Sequence, residues 1–262
     1  MKLSASNIGW TADVDDMMYQ KLAEYGYTGL EIAPTRIFPD NPYSHIRDAE
    51  EFAEALQSQY NLTISSMQSI WYGKTEKIFS TEDERKILLD YTRQAVDFAQ
   101  ALECGNLVFG CPRNRVSSSE KDVDTALSFF GELGDYAKTH GTVLSLEANP
   151  EIYHTNFITT TEEAIALVRN VSSNGFKLNL DFGTMIYQNE SVDLLRGVAS
   201  MVNHVHISEP NLVNIVPRRM HTELASFLSE IKYQNFVSLE MGNQNSLDDV
   251  DDSLNYVAEV FR

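Results

Sequence analysis

The chain has 262 residues, 43% of them hydrophobic and 22% charged, with a formal net charge of −18. That composition is globular, and the length suffices for one large α/β domain or two small ones. So acidic a chain excludes general nucleic-acid binding, which needs clustered Lys and Arg, and docking on anionic membranes. An anionic small substrate stays open, because a local site can differ from the global field. No apolar run approaches the roughly 20 residues of a membrane span. The opening MKLSASNIGW reads as a first strand rather than a signal core. Cys104 and Cys111 are expected to be reduced thiols in a cytoplasmic protein.

Strands are predicted at 2–7, 28–32, 62–68, 105–110, 142–147, 176–181, 202–207 and 235–240, with helical periodicity between them. After the first strand, Val14, Met17, Met18, Leu22 and Tyr25 recur at helical spacing and Gly26 closes the helix. The second helix follows Ser44 with Ile46, Ala49, Phe52, Ala53 and Leu56. The third opens on Thr81 and Glu84, a capping-box spacing, and carries Ile87, Leu88, Tyr91, Ala95, Phe98 and Leu102. Ser119 is the expected cap of the fourth, Thr161 of the fifth, and Ser246 with Asp249 of the last. Eight strand–helix units without a Gly/Ser/Pro-rich linker predict a single (β/α)8 TIM barrel over residues 1–262. A doubly wound sheet would usually carry a Gly-rich phosphate turn, and neither GxGxxG nor GxxxxGK[ST] occurs. The links from helix to strand are short (YGY, QYN, THG) and those from strand to helix are long (APTRIFPDNPYS, SIWYGKTEKIFS, SEPNLVNIVPRR). In a barrel the long links share the C-terminal face, where active sites are built.

The last four strands end alike: VLSLE (143–147), KLNLD (177–181), NHVHI (203–207) and FVSLE (236–240). In each, one parity is apolar and should face the helices. The other parity is polar, and it delivers Glu147, Asp181, His206 and Glu240 inward at the C-terminal mouth. His204 falls one layer deeper, as a hydrogen-bonding partner of the polar core. Three carboxylates in a half-buried space cannot all stay ionised without compensation. One divalent cation is the natural compensation, and three oxygen donors with one imidazole suit Mn2+, Mg2+, Co2+ or Zn2+.

These residues resemble the xylose isomerase-like TIM barrels, the sugar isomerase/epimerase superfamily, and within it the ketose 3-epimerases. Glu147 in SLEANP, Asp181 in NLDFGT, His206 in HVHISEP and Glu240 in SLEMG match that family's metal ligands in turn. The resemblance implies that Glu147 and Glu240 are also the acid/base pair, flanking a ketose or related polyol ketone whose proton moves through a metal-bound enediolate. It implies Mn2+ as the metal expected first. Three positions depart from the family's substrate contacts: Thr184 stands where a His is common, Tyr153 where a Glu is, and Leu212 where an Arg is, with Arg218 and Arg219 only later. Aldose–ketose isomerisation, or dehydration of a keto-sugar or keto-cyclitol, uses the same chemistry and is the alternative reading.

Other candidates for the mouth are Glu31 and Gln68 at the ends of strands two and three, Arg115 after strand four, Tyr153 and His221. Arg115, with Arg113 beside it, offers a site for a phosphate or carboxylate of the substrate. Trp71, Tyr72 and Phe38 lie on long loops, where they suit a sugar face or a contact between copies of the chain, so a homo-oligomer is compatible. An endonuclease-type phosphodiesterase of the same superfamily would need more histidines and a basic groove, against six histidines and −18 here. A non-catalytic sugar-binding barrel is the remaining alternative.

Overall fold

The computed structural model describes residues 1–262. Its strands are β1 (Lys2–Ser6), β2 (Gly29–Ile32), β3 (Thr63–Met67), β4 (Leu107–Phe109), β5 (Leu144–Glu147), β6 (Phe176–Asp181), β7 (Val202–Ile207) and β8 (Phe236–Leu239). Each pairs in parallel with the next, and β1 closes the ring on β8. The predicted TIM barrel is therefore what the chain forms. The helices are α1 (Asp15–Glu24), α2 (Pro34–Ile37), α3 (Ile46–Tyr60), α4 (Glu82–Ala101), α5 (Asp122–Thr139), α6 (Thr161–Val171), α7 (Phe182–Tyr187), α8 (Arg219–Glu230) and α9 (Leu247–Phe261).

Local chemistry sets most of these boundaries. Asp15 and Asp16 sit at the positive end of α1. The helix buries Met18 and Leu22, one turn apart. Gly26 follows it with φ of 77°, the left-handed conformation that releases a helix at little cost. Ser246 and Asp249 form a reciprocal capping box on α9. Two expected caps move. Thr160, not Thr161, caps α6, with Glu163 returning the bond. At α5 the side chain of Asp122, rather than Ser119, accepts from the N–H groups of Ser118 and Ser119. The sixth unit also departs from the repeat, because α7 has six residues and short 3-10 turns complete the return to β7. Asn189 there is left-handed (φ 55°), which breaks the helix where polar residues leave no apolar face to bury.

The apolar parity of each strand packs outward: Leu144, Leu146, Leu178, Leu180, Val205, Ile207, Val237 and Leu239 are all buried in the shell beneath the helices. The barrel interior is polar and bonded across the strands. Ser4 Oγ meets Ser65 Oγ at 2.5 Å, and Asn106 bridges Ser66 and Ser145. The ring is uneven: β3 and β4 pair only at Met67 and Leu107. Trp71 is buried against Phe109 and Phe129 and donates to Thr92, so it belongs to the core and not to a sugar platform.

Candidate metal centre and active site

Glu147 closes β5, Asp181 closes β6, His206 is the penultimate residue of β7, and Glu240 follows β8. One donor atom from each lies within 4.8 Å of the others; Glu147, His206 and Glu240 are buried and Asp181 is half-buried. Glu147 is held at both oxygens. Asn179 donates to Oε1 at 2.7 Å, and Asn149 donates to Oε2 at 2.8 Å. A side chain at Gly110 would intrude, since its Cβ would stand 2.8 Å from Glu147 Oε2. Asp181 accepts from Thr184 N–H and Oγ–H, both at 2.7 Å, and from Ser208 Oγ–H. The same carboxylate thus caps α7 and faces the cluster.

His206 lies between two carboxylate layers. Nδ1 is 2.9 Å from Glu147 Oε1 and 3.2 Å from Glu240 Oε2. Nε2 lies 3.0 and 3.1 Å from the two oxygens of Glu31. With Nε2–H donating to Glu31, Nδ1 is the nitrogen presented to the cluster, which is how a carboxylate orients a ligating imidazole. Burial works against a charged imidazole here, but the carboxylates of Glu31, Glu240 and Glu147 outweigh it and hold the His206 pKa well above its ordinary value. Burial pushes the carboxyl of Glu240 up, as it does that of Asp181, where Glu147 adds to it. The cluster therefore gathers protons unless a cation takes their place. No Lys or Arg lines the cavity at the mouth. A donor set of three carboxylates and one imidazole, nearly dry and without a neutralising side chain, fits a divalent cation.

That cavity has about 200 Å3. Glu147, Asp181 and Glu240 form its polar floor, and Gln68, Asn149 and Tyr153 stand around them. Ile8, Val108, Cys111, Pro112 and Leu212 supply apolar wall. Gln68 spends both Nε2–H donors on Ser6 and Glu31, so its carbonyl oxygen is what it retains for a substrate. Tyr153 accepts from Asn211 N–H at 2.8 Å, and burial pushes its phenol up to about 12. Burial also raises the Cys111 thiol to about 12, which removes it as a nucleophile. Both cysteines are free.

Three candidate substrate contacts lie off the wall of the mouth cavity. Arg115 is fully buried and donates all five of its N–H groups to the protein: to the carbonyls of Gly110, Phe157, Ile158 and Glu147, and to Asn149 Oδ1. It binds the β4 and β5 loops together and has no donor left for an anion. Replacing it by Met is expected to lower the melting temperature by roughly 6–12 °C. Two charge-assisted bonds alone are worth about 3 kcal/mol, at about 2–4 °C per kcal/mol in a chain of this size. An Arg115→Met protein with unchanged melting and a raised KM would instead restore the substrate role.

Glu31 has the expected inward parity but lies beneath His206, fully buried and off the cavity. Burial raises its pKa, but His206 and His204 outweigh that and hold the carboxyl below the ordinary range. His221 is buried between α8 and α9, where it packs on Phe182 and Phe261 and bonds Tyr256 Oη at 3.0 Å. Burial lowers its pKa to about 4. The unfolded chain, with an ordinary His near 6.5, therefore binds more protons between those values. Stability should fall by up to ~3 kcal/mol as pH drops from about 6.5 to 4. Melting curves of His221→Gln against wild type across that window check this, since the variant should lose that part of the slope.

Sequence reasoning missed Asn149 and Asn179, which hold Glu147, Ser208, which holds Asp181, and Glu209. Glu209 is buried and pairs bidentately with Arg218 at 2.8 and 2.7 Å while accepting from Val216 N–H. Asn179 shared the inward parity of β6; the loop residues carried no signal. Arg218 is thereby committed to Glu209. His154 and Arg113 are exposed.

A family model described as a xylose isomerase-like TIM barrel matches residues 19–260. The chain belongs to that family. Its fold is shared with D-psicose 3-epimerase from Clostridium cellulolyticum H10, solved with D-tagatose (TM-score 0.79, 18% identity, 100% of each chain covered). It is also shared with 3-keto-D-glucoside 4-epimerase from E. coli (0.77, 17%, 99% of each chain). The probable 3-DHS dehydratase involved in petrobactin synthesis from Bacillus anthracis is a further likeness (0.69, 19%, 99% of this chain and 98% of that one). Among curated proteins none matches. No helix is long and apolar enough to cross a membrane.

Proposed function

We propose that the protein is a divalent-metal-dependent sugar epimerase or isomerase acting on a small neutral ketose. The observation that carries this is the convergence of Glu147, Asp181, His206 and Glu240 within 4.8 Å at the floor of a mouth cavity. A bound divalent cation, Mn2+ being the one expected for so oxygen-rich a set, would polarise neighbouring hydroxyl and carbonyl oxygens and acidify the C–H between them. Glu147 closes β5 and Glu240 follows β8, strands that are not neighbours in the barrel, so the two carboxylates can reach a substrate from different sides. One removes the proton and the other delivers one to the opposite face. Asn149 and Asn179 fix Glu147 for that task. Gln68 and Tyr153 contact the hydroxyls beyond the reacting carbon. Neutrality of the substrate follows from a cavity wall without Lys or Arg. One domain and a cytoplasmic setting complete the reading.

The test is a metal-supplemented screen of neutral ketoses, their phosphates and keto-cyclitols, read by deuterium uptake from solvent. Uptake at one carbon of a neutral ketose, with the carbon chain intact, is expected. Loss of water from a keto-cyclitol would assign dehydration instead. Preference for a phosphorylated sugar would overturn the neutral-substrate reading.

A further inference from the structure

The roof over the mouth carries a leucine in a conformation that leucine avoids. Asn211 and Leu212 are both left-handed, with φ of 62° and 55°. Asn takes that conformation readily. A side chain as bulky as Leu does not, and such strain persists only where the surroundings impose it. Here the loop after β8 imposes it. Leu212 C=O accepts from Gly242 N–H at 2.8 Å, from Asn245 Nδ2–H at 2.9 Å and from Gln244 Nε2–H at 3.0 Å. Leu212 N–H donates to Glu209 C=O at 2.8 Å, and Asn211 N–H donates to the Tyr153 phenol. The clasp leaves no room for a side chain at Gly242, whose Cβ would run into the Gln244 amide. Leu212 thus stands in the wall of the mouth cavity with both backbone groups spent, so what it offers a substrate is apolar. Ile8, Val108 and Pro112 extend that wall. Few polar groups face it. Asn149 is committed to Arg115 and Glu147. Gln68 Oε1, Tyr153 Oη and the hydroxyl of the exposed Ser69 are the side-chain oxygens left beyond the carboxylates.

We propose that Leu212 is a specificity-determining residue, and that it selects a ketose whose far end is a methyl group, a 6-deoxy ketose, over one ending in CH2OH. The inference rests on the epimerase or isomerase reading of the metal centre. With the reacting end of the sugar over Glu147, Asp181 and Glu240, Gln68 and Tyr153 serve the hydroxyls that follow. In a cavity of about 200 Å3 the far end of a six-carbon chain then meets the roof. A terminal hydroxyl against Leu212 gives up water without gaining a partner, whereas a methyl group there is favoured by the same burial.

Calorimetric titration of the Mn2+-loaded protein with each D- and L-ketohexose and its 6-deoxy counterpart tests this. At least one deoxy ketose should bind about tenfold more tightly than its parent, the lower end of what an apolar pocket achieves against an added hydroxyl. Leu212→Met keeps the apolar surface and should keep that ratio. Leu212→Asn suits the left-handed backbone, so the roof should hold, while its amide should bring the ratio close to unity. Equal or tighter binding of the parent sugars, a ratio that Leu212→Asn leaves unchanged, or no binding of any deoxy ketose would each overturn the proposal. Deuterium uptake on the same samples judges the reaction separately. A preferred deoxy ketose that binds without exchanging its C–H overturns the epimerase reading and leaves the role of Leu212 intact. Exchange with equal affinity for parent and deoxy sugars does the reverse.

Discussion

Replacing Glu147 or Glu240 by Gln is expected to lower kcat about 10²–10⁴-fold on the active ketose, the usual contribution of a positioned acid or base. Gln keeps the volume and one carbonyl oxygen, so substrate binding should survive within a few-fold. The two variants should also differ from each other. Glu147 is fixed by Asn149 on one oxygen and by Asn179 on the other, whereas Glu240 meets only His206 among the groups around it. In the Glu147→Gln protein the new amide would turn an N–H toward the donors that now hold the carboxylate. That side chain should be displaced more than the one in Glu240→Gln. If the two carboxylates serve opposite faces of the substrate, each variant should lose solvent exchange from one epimer more than from the other. Measuring deuterium wash-in separately from each epimer checks the assignment. Full kcat in either variant with metal retained would remove that Glu from the proton path.

The convergence of the carboxylates and the imidazole was legible because strand parity is strict. Glu147, Asp181 and His206 each sit on the inward parity of a strand whose outward residues are uniformly apolar, and an error of one residue would have put the apolar set inside. Depth along the barrel was less legible than direction. Strands in a barrel are staggered, so residues at the ends of different strands stand at different heights. Glu31 ends its strand pattern as Asp181 does, yet it pairs in register with Ser6 and Ser66 and finishes beneath His206. Arg115 was misplaced for another reason. Cys111 is left-handed (φ 45°), and a 3-10 turn over Pro112–Asn114 folds the chain back, carrying the guanidinium under the β5 loop instead of over the mouth. His221 was lost on a helix where the buried face includes a polar side chain. The roof, from Glu209 to Arg218, depends on pairings between loops that periodicity does not encode.

Removing the metal should abolish turnover and destabilise the fold, and Glu31 should govern how tightly it is held. Dialysis against a chelator leaves three carboxylates around one imidazole, and the raised pKa values of His206, Asp181 and Glu240 mark the protons that must then enter. Binding of a cation releases them, so affinity should fall as pH falls. At a metal concentration about 1,000 times Kd, the gain is ~4 kcal/mol, or roughly 8–16 °C in melting temperature. Glu31→Gln keeps an acceptor for His206 Nε2–H but removes the charge that makes the ligand basic. It should weaken metal binding by about 10–100-fold. Saturating metal should then restore kcat with little change in KM, because Glu31 lies off the cavity. A substrate contact would give the reverse pattern, with metal affinity intact and KM raised at every metal concentration. Metal titrations followed by turnover, run on wild type and Glu31→Gln at two pH values, separate the two roles for this carboxylate.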